Sequence, residues 1–231
     1  AGDAITTANS NVAVGYNSAS STTTGENNTV VGRSALTANT TGQRNTAVGA
    51  FALDANTTAS DGTAVGYQSL SGNTTGTSNS AFGYYSLLAN TTGSENTGVG
   101  YEALDANTTG GSNVALGSRA LSANTTANYN VAIGKSALAV NTTASYNVAV
   151  GKSALATSTT GANNTATGFN ALTATTTGSG NVGIGFRAID SGTTASYNVA
   201  LGADALSSIT TIGYQTALGA YALTASTTGQ H

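Results

Sequence analysis

The chain has no cysteine and no methionine, and the only histidine among its 231 residues is the last, His231. Thiol redox chemistry, cysteine-based zinc sites and any catalysis that turns on a central imidazole are excluded, and most enzyme classes go with them. Charge is scarce as well: six basic and nine acidic residues leave a formal net charge of −3. Six scattered cations make no nucleic-acid footprint. No apolar run approaches the roughly 18 residues of a membrane span, and no signal peptide is visible, so no membrane insertion is expected of this segment. The chain opens on Ala1 rather than Met, which reads as a processed or excised piece. Leu, Ile, Val and Phe together number only 39. So low a share is typical of disorder, but disorder of that kind also needs a high net charge, which this chain lacks.

What the chain has instead is a repeat. Gly15, Gly32, Gly49, Gly66, Gly83, Gly100, Gly117, Gly134, Gly151, Gly168, Gly185, Gly202 and Gly219 follow one another at intervals of 17 residues without an insertion. Thirteen copies fill residues 11–231, and residues 1–10 read as the back part of a preceding copy, because Thr6-Thr7 is in phase with every later Thr-Thr pair. Numbered from Asn11, a copy reads N-[T/V]-A-V-G-x-x-A-L-x-A-N-T-T-G-x-x, as in Asn113 to Tyr129 and Asn130 to Tyr146. A period this short cannot hold a helical hairpin but suits one coil of a β-solenoid, in which each copy stacks on the next. The expected fold is therefore all-β: a single parallel β-solenoid, or β-roll, of 17-residue coils spanning residues 1–231.

The places within a copy sort by chemistry. The fourth is apolar in every copy but that of Thr167, and the ninth is Leu in all but Ala19 and Ile189. Both are expected to form core columns. All charged residues fall in the sixth, seventh, tenth, sixteenth and seventeenth places, which are expected to face water. The third place is always Ala, Val or Gly, and its uncharged column, with Ala115, Ala132 and Ala149 as examples, is read as an outer face suited to close packing at a trimer axis. The invariant fifth-place glycine indicates a turn at positive φ or a close backbone approach, since no helix pattern follows it to make a phosphate cradle. First-place Asn, as at Asn130 and Asn147, is read as a ladder of stacked amides.

The Thr-Thr pairs raise the question of ice binding, but adjacent strand residues point to opposite faces, so T-T yields one outward column where a flat array wants T-x-T. Asn39, Asn56, Asn73, Asn90, Asn107, Asn124 and Asn141 open Asn-Thr-Thr acceptor patterns for N-glycosylation, which a turn-capping Asn explains equally well. Asp54 and Asp105 share the tenth place three coils apart, too far for a common metal, and Glu102 and Asp105 have no repeated partner. No catalytic, metal or cofactor site is read. Among the aromatics, Tyr67, Tyr84 and Tyr101 occupy the sixth place of successive coils and are expected to stack as a surface ladder with exposed ring faces, Tyr85 beside them, which makes these four the candidate ligand-contact surface; Tyr129 and Tyr146 make a shorter row. Rows of rings suit a sugar or a protein, and equally a contact between chains.

The motif N-[T/V]-A-[V/I]-G-x-x-A, as in Asn130 to Ala137 and Asn147 to Ala154, resembles the head repeat of trimeric autotransporter adhesins, and similar arrays occur in phage tail fibres. The resemblance covers the whole chain in phase, with a coil a few residues longer around A-N-T-T-G. It implies a left-handed β-roll, three identical chains around an axis, and an extracellular place on a cell surface or virion fibre. The expected function is that of a structural and adhesive protein, not an enzyme: a rigid homotrimeric shaft or head whose partners are its own copies and a host-surface glycan or protein. A monomeric ice-binding solenoid using the Thr-Thr column and the subunit of a self-assembling extracellular filament are the alternatives.

Overall fold

A computed structural model describes residues 1–4 and 7–224; Thr6, the end of the thirteenth copy and His231 lie outside the described residues. The chain is an all-β parallel β-solenoid of 17-residue coils, with no helix among the described residues. It divides into two compact units, Ala1–Asn113 and Val114–His231. The first contains β1 (Val12–Val14), β2 (Thr29–Val31), β3 (Thr46–Val48), β4 (Thr63–Val65), β5 (Ser80–Phe82) and β6 (Thr97–Val99). The second contains β7 (Val114–Leu116), β8 (Val131–Ile133), β9 (Val148–Val150), β10 (Thr165–Thr167), β11 (Val182–Ile184), β12 (Val199–Leu201) and β13 (Thr216–Leu218). Within each unit, neighbouring strands pair in parallel with equivalent places opposite one another, as where Ala132 of β8 faces Ala149 of β9.

Each coil has one three-residue strand at its second to fourth places, where β-branched residues fit the pleat. Hydrogen bonds between coils continue far beyond it. The second-place amide of Thr29 donates to the Asn45 carbonyl at 2.8 Å, the seventh-place amide of Phe51 to the Arg33 carbonyl at 2.9 Å, the ninth-place amide of Leu36 to the Ala52 carbonyl at 2.9 Å and the thirteenth-place amide of Thr40 to the Thr57 carbonyl at 2.8 Å. The backbone groups that short strands would leave unpaired thus find partners in the coil above or below.

The chain turns inward through repeated left-handed residues. Besides the fifth-place glycine, the seventh, ninth and seventeenth places have positive φ, as at Ser136 (58°), Leu138 (51°) and Tyr146 (64°). Such conformations cost roughly 1–3 kcal/mol each for a side chain with a Cβ. The ladders between coils hold them in place. The fifth-place glycine cannot be replaced so easily: a Cβ on Gly134 (φ 127°) would lie 2.6 Å from the carbonyl oxygen of Gly151.

The interior is thin. It is filled by third-place alanines, eighth-place Ala or Ser, ninth-place leucines, and the amide side chains of the first and twelfth places. No charged side chain is buried among the described residues. The ninth-place column is a core column, with Leu36 through Leu206 fully enclosed. The other expected core column is corrected: no fourth-place residue is buried, and Leu116 is 45 % exposed. The third place is corrected in the opposite sense. Ala115, Ala132 and Ala149 are completely enclosed within a single chain, so they form an inner wall and present no face to a trimer axis. Side chains alternate along a strand, and with a buried Asn at the first place the third must also turn inward, leaving the second and fourth outside.

Candidate functional site

With no pocket among the described residues, and no group of three or more His, Cys, Asp or Glu there, any site on this surface is an exposed one. The aromatic cluster at the sixth and seventh places of the first unit is its most organised feature. In-register stacking brings Tyr67 and Tyr84 to 5.5 Å between ring centroids at 15° between planes, and Tyr84 and Tyr101 to 5.6 Å at 8°. Tyr85 leans against Tyr84 at 3.9 Å, Phe51 meets Tyr67 edge-on at 6.1 Å, and the Arg33 guanidinium sits 5.4 Å from the Phe51 centroid.

The fold thus brings Tyr67, Tyr84, Tyr85 and Tyr101 together as expected, but with a different presentation. The rings of the ladder lie face to face along the stacking direction, so neighbours cover one another's faces while each ring stays partly exposed. The surface on offer is a row of phenol groups. Its electrostatics follow. A hydrogen bond with Tyr85, reinforced by crowding among the neighbouring phenols, pushes the Tyr84 hydroxyl up to about 12. Neutral phenols in a row donate and accept hydrogen bonds, which suits a polyol or a polar protein surface.

Six further aromatics repeat the stacking in pairs: Tyr129 with Tyr146 at 5.2 Å, Phe169 with Phe186 at 5.6 Å, and Tyr197 with Tyr214 at 5.2 Å. Phe82, read from its fourth place as a core residue, is 41 % exposed and belongs to the outer face.

The amide columns are structural. The Asn147 backbone N–H donates to Oδ1 of Asn130 at 2.9 Å, and Nδ2 of Asn130 to the Ala144 carbonyl at 2.9 Å, so each first-place Asn ties together two coils. The twelfth-place asparagines form a second ladder, Asn56 to Asn39 at 2.9 Å, Asn90 to Asn73 at 2.8 Å and Asn107 to Asn90 at 2.7 Å. These are the Asn-Thr-Thr asparagines. Asn39 through Asn141 are fully buried and hydrogen-bonded, so in the folded chain none offers an amide to a glycosyl donor.

Thirteenth-place threonines spend their hydroxyls on the next coil, as where Thr91 Oγ1 donates to the Thr108 carbonyl at 3.0 Å. Fourteenth-place threonines such as Thr92 and Thr109 are exposed, making the single outward column that adjacency predicts.

The feature least visible beforehand is the outer face of the strands. Its second places carry Val, Thr or Ser and its fourth places mostly Val, Leu, Ile or Phe, uncharged in every coil and nowhere buried. Alternation from a buried first-place Asn is the signal that would have located it.

Set against known proteins, the chain matches no family model, no curated protein and no solved structure.

Proposed function

We propose that the chain is an extracellular structural and adhesive protein, a left-handed β-roll that assembles as a homotrimer to form a fibre shaft or head and presents its exposed rings to a host-surface glycan or protein. The observation carrying this reading is the outer strand face. The strip of second- and fourth-place side chains runs through successive coils in each unit without one charge; its fourth-place column is apolar in every coil but that of Thr167, and its second-place column is Val, Thr or Ser. Contiguous apolar surface of that kind on a chain with so thin a core marks a face that other protein covers. Copies of the same chain are the natural cover, because identical coils bring identical columns into register. A surface without pockets contributes affinity through repetition, and three chains multiply any weak contact at the tyrosine row.

The deciding measurement is the mass in solution, by light scattering or native mass spectrometry across a wide concentration range. Three chains per particle are expected, and a monomer at every concentration would end the assembly reading. One observation favours a second reading. Thr29, Thr46, Thr63 and Thr97 at the second place run beside Val31, Val48, Val65 and Val99 at the fourth, which gives one outward threonine column next to one outward valine column on the same strand face, a regular surface that a monomeric ice-binding solenoid would use. Thermal hysteresis from a monomeric chain would establish it in place of the trimer.

A further inference from the structure

The charges of this chain are few, but the fold does not scatter them. The first unit holds two basic residues against seven acidic ones, whereas the second holds four basic residues, Arg119, Lys135, Lys152 and Arg187, against Asp190 and Asp204. No acidic residue occurs between Asp105 and Asp190. All four cations of the second unit sit at the sixth and seventh places, where coil-on-coil stacking gathers them into one exposed row.

Lys135 and Lys152 are in register on successive coils, which sets their backbones about 4.8 Å apart. Neither has an ion-pair partner among the described residues. Two like charges at that distance repel each other, and an anion lying across both relieves the repulsion. By contrast Arg187, further along, is answered by Asp190 at 2.7 Å and Asp204 at 3.6 Å. Aromatic surface continues the row beyond the lysines. Lys152 Nζ lies 5.5 Å from the Phe169 centroid, and Phe169 stacks on Phe186, which is 50 % exposed. The next sixth place is Ala203, too small to cover the far face of Phe186 as a further ring would.

We infer that this row is a binding surface for an extended anionic polysaccharide, one bearing sulfate or carboxylate groups along a chain of sugar rings. The lysines meet the anionic groups as point charges, and the open face of Phe186 meets the C–H face of a sugar. Nucleic acid is the poorer fit, because single strands are bound in grooves lined with many cations, and this surface has neither the groove nor the number. The inference deepens the adhesive reading above and rests on it only for avidity: three rows on one particle would turn weak contacts into retention.

The test uses the whole chain and immobilised dextran sulfate, with uncharged dextran and single-stranded DNA as the comparison ligands. Native mass is measured in parallel on every sample. Dextran sulfate is expected to retain the protein at low ionic strength, with release as salt rises, since exposed charges are screened within about 10 Å at 0.1 M salt. Dextran should not retain it, and DNA should bind more weakly. Lys135→Gln/Lys152→Gln should lose about tenfold or more in affinity with circular dichroism and mass unchanged. Arg44→Gln, which removes one charge from the Arg44–Asp61 pair in the first unit, should bind as the parent does. The inference is overturned if the double variant keeps the parent's affinity, if plain dextran binds equally, or if DNA binds as tightly as dextran sulfate. A monomeric mass with the lysine dependence intact would instead overturn the trimer alone.

Discussion

Asn141 Oδ1 and Thr175 Oγ1 are buried without a hydrogen-bond partner, and the residue between them in the twelfth-place column is Ser158. The asparagine ladder breaks there because a serine hydroxyl is too short to reach the coil below and bonds its own turn instead, at 3.4 Å to the Gly161 carbonyl. Ser158→Asn should restore the ladder, donating to Asn141 and accepting from Thr175, and raise stability by about 1 kcal/mol per bond formed. An unchanged or lowered melting temperature would show that the coil there has no room for the larger side chain. Leu138→Ala should cost about 2–5 kcal/mol because that side chain is fully enclosed, whereas Lys135→Ala on the surface should cost under about 0.5 kcal/mol; denaturant titrations of the two variants give the comparison. At the tyrosine row, ultraviolet titration should show one phenol ionising near 12, and Tyr84→Phe should abolish that step. Because the raised value favours the neutral phenol, the stabilisation from this group is present below the ordinary tyrosine value of about 10 and is lost as pH climbs through 12.

At the scale of the coil, the period, the parallel stacking and the amide ladder were legible in the sequence, because a repeat of 17 with fixed Gly and Asn leaves few other ways to satisfy the backbone. The ninth-place core column and the outward charges were legible for the same reason. What misled was volume. Large side chains at the fourth place suggested an interior and small ones at the third an exterior, but the inner side of this narrow coil is lined mostly by alanine, with Val30 the largest third-place residue it encloses, and the fourth-place side chains stand on the outside. Leu138 and its counterparts fit within because a left-handed backbone turns them inward, a conformation that residue type alone does not announce. The tyrosine row was foreseen as a stacked ladder, and Tyr67, Tyr84 and Tyr101 do stack; what the sequence did not tell was that the stacking itself covers the ring faces it was expected to expose. The fifth-place glycine permits a sharp test of the coil. Gly134→Ala places a Cβ against the Gly151 carbonyl at a φ that alanine disfavours, and should destabilise by about 1–3 kcal/mol or more. Ala137→Gly, at a buried place that needs no positive φ, should act only through lost contact and backbone entropy.

At the scale of the whole molecule, the inner and outer faces of the strand make separable predictions about assembly. A glutamate at Ala132 would be buried inside one chain, where an unpaired charge is intolerable, and should prevent folding whatever the oligomeric state. That variant therefore says nothing about a trimer. Glutamate at Ile133 and Val150 would instead stand on the outer face in successive coils, where an isolated chain keeps them hydrated. If that face is covered by other copies, the double variant should lose the multimeric mass while circular dichroism retains the β signature, or should unfold if the thin core cannot stand alone. Thr92→Glu and Thr109→Glu, on the exposed fourteenth-place column away from the strand, carry the same added charge and should leave the mass unaltered. The pairing of the two variants isolates the strand face from the effect of net charge. A parent that is multimeric, an Ile133→Glu/Val150→Glu variant with the same mass and melting temperature, and a threonine-column variant that dissociates would move the interface to the opposite side of the coil and leave the apolar strip for another partner.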